Sequence, residues 1–299
     1  MNEQDPYHHY NFSPNVATVL KQRGFVRTGC CSKAAVIEPA DPGGALNLVE
    51  PLGDQTVRKL LRKISGQTGV DESILLEICA EPKLSAHISR LRDAGVVNAD
   101  DHRVALRKHV DNFGPTLEWY VAMVFQDAFS ATSCWSVQLE EIYGGGDFDV
   151  LAWLDSSSAL VYVECKSASP ASISDDEIRC FFQRCQELGP EVAILLVDTD
   201  SPLNPFLDRV QELLVPVQRL ASGIRDEGWV PDHPFIAPIP GVAYAGLHFG
   251  LHRVFITGSE PSIATQLRKC LRYYSSWVSH LTFFSPVRTD YIRGELMAS

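Results

Sequence analysis

Three charged residues set at strand spacing carry the chemistry this chain could do. In the stretch GGGDFDVLAWLDSSSALVYVECKS, residues 144–167, Asp149 opens one apolar run, and Glu164 and Lys166 close the next. The polar segment Asp155–Ser158 reads as a turn, so the two runs predict a β-hairpin. In an antiparallel pair the start of the first strand lies beside the end of the second, which brings all three side chains to one end of the sheet. Side chains two apart share a face, so Glu164 and Lys166 point with Tyr162, while Val161, Val163 and Cys165 point into a core. Two neighbouring carboxylates repel, and a proton or a cation relieves the repulsion. Hard oxygen ligands suit Mg²⁺. A lysine beside them can orient or deprotonate a water, or neutralise charge developing on a phosphate. An ordinary exposed hairpin would carry the same residue types, but the glycines ahead of it and the apolar strands on both sides fit a site better.

Asp149, a strand–turn–strand and then Glu164-Cys165-Lys166 together resemble the PD-(D/E)xK, or restriction-endonuclease-like, nuclease superfamily. The likeness is strongest to its Mrr-type and Holliday-junction-resolvase-like branches and spans residues 114–198. Phe148 stands where the motif has proline. The resemblance implies a metal-dependent nuclease, an endodeoxyribonuclease, with Asp149 and Glu164 on Mg²⁺ or Mn²⁺ and Lys166 as the assisting cation. It also nominates Glu118, on the helix before the first strand, as a further metal ligand, and Gln183, on the helix after the hairpin, beside the bound phosphate. Glu118 could instead simply complement the positive end of its helix, and Gln183 could face solvent. Asp147, two residues from Asp149, is a second candidate carboxylate.

The elements that must position these residues follow from periodicity. Leu117–Phe129 has a helical apolar stripe, Ser133–Ile142 reads as a strand, and Ser174–Leu188 as a helix whose Ser174 and Glu177 form a capping box. Glu191–Val197 is a continuous apolar run of the kind buried inside a sheet. The expected fold class is α/β: the resemblance implies a restriction-endonuclease-like mixed sheet flanked by helices, with an upstream helical module that can be read as a winged helix. In that module, residues 53–112, Thr56–Thr68 carries a basic face of Arg58, Lys59, Arg62 and Lys63 opposite Val57, Leu60, Leu61 and Ile64. Helices over Asp71–Ala80 and Leu84–Ala94, then Val96-Val97 and Arg103–Leu106 as a wing, resemble a winged helix-turn-helix. Lys83, His87, Arg90 and Arg92 would then face DNA; a helical module that only packs on a neighbour or dimerises is the other reading.

The expected division is 1–52 as an appended N-terminal segment, 53–112 as the helical module, 113–200 as the nuclease core and 201–299 as a C-terminal α/β extension packing on it. In 1–52, Val16–Gly24 reads as a helix and Lys33–Ile37 as a strand. Beyond residue 200, Asn204–Leu214 reads as a helix, Pro231–Pro240 as a proline-rich loop, and Val242–Phe249 and Arg253–Thr257 as strands. A last helix carries Arg268, Lys269, Arg272, Tyr273, Tyr274 and Trp277, where base and phosphate contact is one use and a core-facing helix the other.

Net charge is −11, awkward for binding a polyanion. Its distribution softens the conflict, because residues 53–112 carry ten Lys/Arg against nine Asp/Glu and the rest 16 against 28. Eight cysteines lie scattered without CxxC pairs, which predicts reduced thiols and a cytoplasmic protein. No apolar run reaches membrane-spanning length and no signal peptide opens the chain. His8-His9 is read as part of a disordered terminus. Phosphate-loop, dinucleotide, nucleophile-elbow and HExxH signatures are missing. The expected partner is DNA, with RNA possible, and a homodimer is possible. The competing class is a nucleic-acid-binding regulatory protein, in which the winged helix does the work and the α/β unit is a non-cutting platform.

Overall fold

A computed structural model describes residues 14–30, 35–37, 45–100, 102–140, 147–210, 212–213, 237–238, 245–249, 252–260 and 262–284. His8, His9, most of the proline-rich loop and the glycines at 144–146 lie outside the described residues. The chain is α/β. Its centre is one mixed sheet with strand order β1-β5-β6-β7-β8-β11-β10-β9, formed by β1 (Arg27–Cys30), β5 (Thr132–Leu139), β6 (Phe148–Leu154), β7 (Ala159–Lys166), β8 (Val192–Val197), β9 (Ala237–Pro238), β10 (Ala245–Phe249) and β11 (His252–Thr257). β7 and β11 run parallel to β8, and the other neighbours are antiparallel.

Strand alternation sorts the sheet into two cores. On one face, Val161 and Val163 of β7 join α6 (Gly114–Phe129) and the last helix, α9 (Ile263–Phe284). On the other, Leu160 and Tyr162 join α1 (Pro14–Gln22), α7 (Asp175–Leu188) and α8 (residues 204–210). The expected hairpin is present: Leu154 pairs with Ala159 across Asp155–Ser158, and Val150 pairs with Val163. Helix α7 starts at the capping box read from sequence, with the Glu177 amide donating to Ser174 Oγ at 3.2 Å and the Ser174 amide donating to Glu177 Oε2 at 2.9 Å.

The upstream module consists of α2 (Ala45–Leu52), α3 (Gln55–Ile64), β2 (Val70–Asp71), α4 (Glu72–Leu75), α5 (Glu81–Asp93), β3 (Val97–Ala99) and β4 (Arg103–Leu106). Its strands form a separate sheet ordered β2-β4-β3. Of the three helices expected in 53–112, α3 and α5 are full helices, while the one expected from Asp71 to Ala80 is the single turn α4, and Asp71 makes no side-chain cap.

Two of the expected boundaries differ from what the fold shows. Residues 1–52 do not form one appended unit: β1 is an edge strand of the main sheet against β5, while α2 packs with the helical module. Residues 35–37 lie outside any strand, so the N-terminal strand precedes the position expected for it; Arg27–Cys30 is too short for alternation to mark it. Residues 201–299 do not simply pack on the core. β11 continues the parallel run beside β8, so the sheet is extended rather than covered.

Candidate active site

The end of the β6–β7 hairpin is where the predicted residues meet. Continuing the register that pairs Val150 with Val163 puts Asp149 opposite Glu164. The Cys165 amide donates to Asp149 Oδ2 at 2.7 Å, fixing that carboxylate across the strand ends. Alternation breaks here: Phe148 and Leu151 face the α7 side while Val150 faces the α6 side. On the neighbouring strand Ser136 has a φ of +50°. Such a break re-aims side chains at a strand end. It leaves Asp149 beside carboxylates arriving from both layers.

Glu118 comes from the α6 side, one turn into that helix. It is half-buried, its Oε2 is shielded from solvent and has no hydrogen-bond partner among the described residues, and burial, followed by repulsion from Glu164 and Asp147, pushes its carboxyl up to about 7. Ser136 donates to Asp147 Oδ2 at 3.0 Å, and the nearby hydroxyl draws the Glu118 pKa part of the way back down. Asp149 is likewise raised well above the usual carboxylate range by burial, then by Glu164 and Glu118. The site thus concentrates acidic oxygens that destabilise one another.

Glu164 is held by three donors. Oε1 lies 3.1 Å from Lys166 Nζ; Oε2 accepts from Arg184 Nη1 at 3.0 Å and from the Tyr162 hydroxyl. Lys166 also reaches Glu177 Oε1 at 3.0 Å. Desolvation lowers the lysine's pKa, but Glu164 and Glu177 outweigh it, and the net shift is upward. Lys166 is therefore an ammonium at neutral pH, suited to stabilising charge rather than to accepting a proton.

Glu118, Asp149, Glu164 and Lys166 lie within electrostatic reach of one another, and Asp147 lies within reach of Glu118. Gln183 does not: it is exposed and donates to Glu187 Oε1 at 2.9 Å. One residue further along α7, 100° round the helix, Arg184 enters the site instead and lies over the Phe148 ring. A signal for Arg184 was present, because it falls at i+3 from Phe181 on the buried stripe Phe181-Cys185-Leu188. A cation inside an apolar stripe needs a buried anion.

The residues nominated for DNA contact are scattered. His87 is turned inward, with Nε2 3.7 Å from Asp54. Arg90 is paired with Glu50 of α2 at 2.5 Å. Lys83 and Arg92 are exposed, but nine residues apart they lie on opposite sides of α5. The basic face of α3 turns to the protein itself: Arg58 and Arg62 pair with Asp198, and Lys59 with Asp200.

No family model matches this chain. No curated protein matches it either. Among solved structures, it is similar to the crystal structure of the Vibrio cholerae protein VC1899, with 17% identity and a TM-score of 0.35 over 68% of this chain and 52% of that one. The chain spans about half of that protein's length. A similarity this low bears on neither fold nor function. Among the described residues, no helix is long and apolar enough to cross a membrane.

Whether the donor set fits a divalent cation can be judged from the carboxylates themselves. They are hard oxygen ligands, they repel one another, and one buried oxygen of Glu118 lacks a hydrogen-bond partner among the described residues, which is the state a hard cation relieves. Among the described residues no three His, Cys, Asp or Glu side chains stand close enough together to form a metal-holding group, and Glu164 is tied to Lys166, Arg184 and Tyr162. The chemistry of the set fits; a cation entering it competes with Lys166 for Glu164 Oε1.

Proposed function

We propose that this chain is a metal-dependent nuclease of the PD-(D/E)xK type that hydrolyses phosphodiester bonds in DNA. The observation that carries this reading is the convergence of Asp149, Glu164 and Lys166 from two adjacent strands on one end of the sheet, with Glu118 added from α6. Asp149 and Glu164 would hold Mg²⁺ or Mn²⁺, with Glu118 as a further ligand. When bound, the ion supplies Lewis-acid polarisation of the phosphate and an acidified water. Hydrolysis forms one new P–O bond and breaks another, and the pentavalent arrangement between them carries more negative charge on its oxygens than the substrate does. Lys166, a fixed ammonium at the rim of the site, favours that arrangement over the ground state. Arg184 and Tyr162 hold Glu164 through Oε2, which leaves Oε1 to Lys166. Glu177 gives the lysine its second anchor.

The test is incubation of supercoiled plasmid with the full chain in Mg²⁺, in Mn²⁺ and in EDTA, set against Lys166→Ala and Glu164→Gln. Cutting that needs the metal and falls by at least about 100-fold in both variants supports the reading, the loss expected when a group stabilising developing charge is removed. Gel-shift binding with no cutting under any metal would sink it in favour of a binding regulator. Cleavage of labelled RNA alone would move the substrate, not the chemistry.

A further inference from the structure

Lys166 is the last residue of β7 and pairs with Val197 at the end of β8. The rung that closes this ladder is the Asp198 amide donating to the Lys166 carbonyl at 2.8 Å. Every other polar group of Asp198 that accepts a bond is committed to the helical module. Its Oδ1 accepts from Arg58 Nε at 3.0 Å and Nη2 at 2.9 Å. Its Oδ2 accepts from Arg62 Nη2 at 2.6 Å, and its carbonyl from the same nitrogen at 3.2 Å. Arg58 and the Asp198 carboxylate are both wholly buried. Arg58 Nη1 then donates to the Leu52 and Gly53 carbonyls at 2.7 and 3.2 Å. A continuous path of hydrogen bonds therefore runs from the α2–α3 junction through Arg58 and Asp198 to the peptide of Lys166.

We propose that Asp198 is a positioning residue for Lys166, clamped by Arg58 and Arg62 of the helical module, so that the cleavage proposed above requires the module to be docked. Stability alone is a weak account of a buried Arg–Asp–Arg group, because apolar side chains of the same volume usually serve as well or better. What such a group supplies is direction: charge-assisted hydrogen bonds fix angles as well as distances. A strand end is the place where a ladder frays first, and this strand end carries the lysine that must sit between Glu164 and Glu177. The placement also explains where the cations of α3 are spent. Three of the four point at Asp198 and Asp200, so the face that looks suited to a polyanion is an internal joint.

The cleavage arm of the test rests on the nuclease reading; the exchange arm does not. In the full chain, Arg62→Gln leaves Arg58 in place and removes one donor from the clamp, Arg62→Lys keeps the charge, and Asp198→Asn keeps the backbone rung while weakening the pair. Amide hydrogen exchange is measured at Asp198 and across 164–167, with β5 and β6 as internal reference. Arg62→Gln and Asp198→Asn are expected to lower protection of the residue 198 amide, relative to its intrinsic exchange rate, by about tenfold or more, the change that follows from losing a charge-assisted hydrogen bond. The reference strands stay unchanged, and Arg62→Lys recovers much of the protection. In the same variants kcat falls by about 10- to 100-fold with KM unchanged, as expected for a misplaced catalytic group. Unaltered exchange at Asp198 in both variants overturns the clamp. Faster exchange in variants whose kcat matches that of a cutting parent overturns the positioning role. A parent that does not cut removes the nuclease reading, and the exchange result then stands or falls by itself.

Discussion

Glu118 is a carboxyl whose protonation reports on the whole acidic end of the site. Its pKa is raised from 4.5 to about 7, by burial first and then by Glu164 and Asp147. An acid whose folded pKa lies above its unfolded value binds more protons in the native state, so stability falls as pH rises between those two values. The slope is at most about 1.4 kcal/mol per pH unit for one such group. In EDTA the parent should therefore lose stability from pH 4.5 to 7 relative to Glu118→Gln, with the difference constant above pH 7. Parallel urea-unfolding curves for the two proteins at pH 5, 6, 7 and 8 would refute this. Arg184 gives a second prediction at the same scale. Arg184→Met removes one of three donors to Glu164, which should cost about 1–3 kcal/mol in denaturant unfolding and reduce cleavage by about 10-fold or more. Wild-type turnover in that variant would show that Glu164 needs no holding. Asp149, Glu164 and Lys166 were legible because strand period two and a hairpin turn fix their relation within twenty residues. Gln183 was nominated by the resemblance rather than by helix phase, and the one residue that separates it from Arg184 is 100° of rotation.

Helix α7 shows how an element can join folding to chemistry through one side chain. Glu177 Oε2 closes the capping box on Ser174 while Oε1 reaches Lys166. The two roles separate by substitution. Ser174→Ala removes the cap and should cost about 1 kcal/mol, read as a lower urea midpoint with unchanged m-value. Glu177→Gln retains a side chain that can close the box and removes only the charge beside Lys166. Its stability should stay within about 1 kcal/mol of the parent, because that carboxylate is well exposed. With one anion gone, Lys166 titrates at lower pH, so the alkaline limb of the cleavage–pH profile shifts down; an unmoved limb in Glu177→Gln would disconnect Glu177 from the lysine. The box was visible in Ser174-x-x-Glu177 because both partners are local. The second use of Glu177 was not, since the lysine it meets is brought there by the sheet. The same reason hid the role of α3: helical spacing identified its cations, but Asp198 lies 140 residues away from Arg58, and no local pattern announces the pairing.

Across the whole molecule, the helical module and the sheet share one core. Val57, Leu60, Leu84, Ile88 and Leu91 of the module lie in the same buried cluster as Val121 and Phe125 of α6 and Val163 and Ile194 of the sheet. The expected division falls between residues 112 and 113, just ahead of Gly114-Pro115, but apolar burial does not respect it. A unit of about 60 residues buries too little surface to be more than marginally stable alone, and this one also carries Arg58, which is fully buried only because Asp198 meets it. Cutting the module away would leave a buried-type cation without its anion on one side and an uncovered α6 on the other. The full chain should therefore unfold in a single calorimetric transition. Arg58→Met should lower stability by about 3–5 kcal/mol, the cost of stranding a buried partner charge, while the transition stays single. Two resolved transitions in the parent, or an excised 53–112 fragment that unfolds cooperatively, would show that the module is a separate body and that its docking against the sheet adds nothing essential.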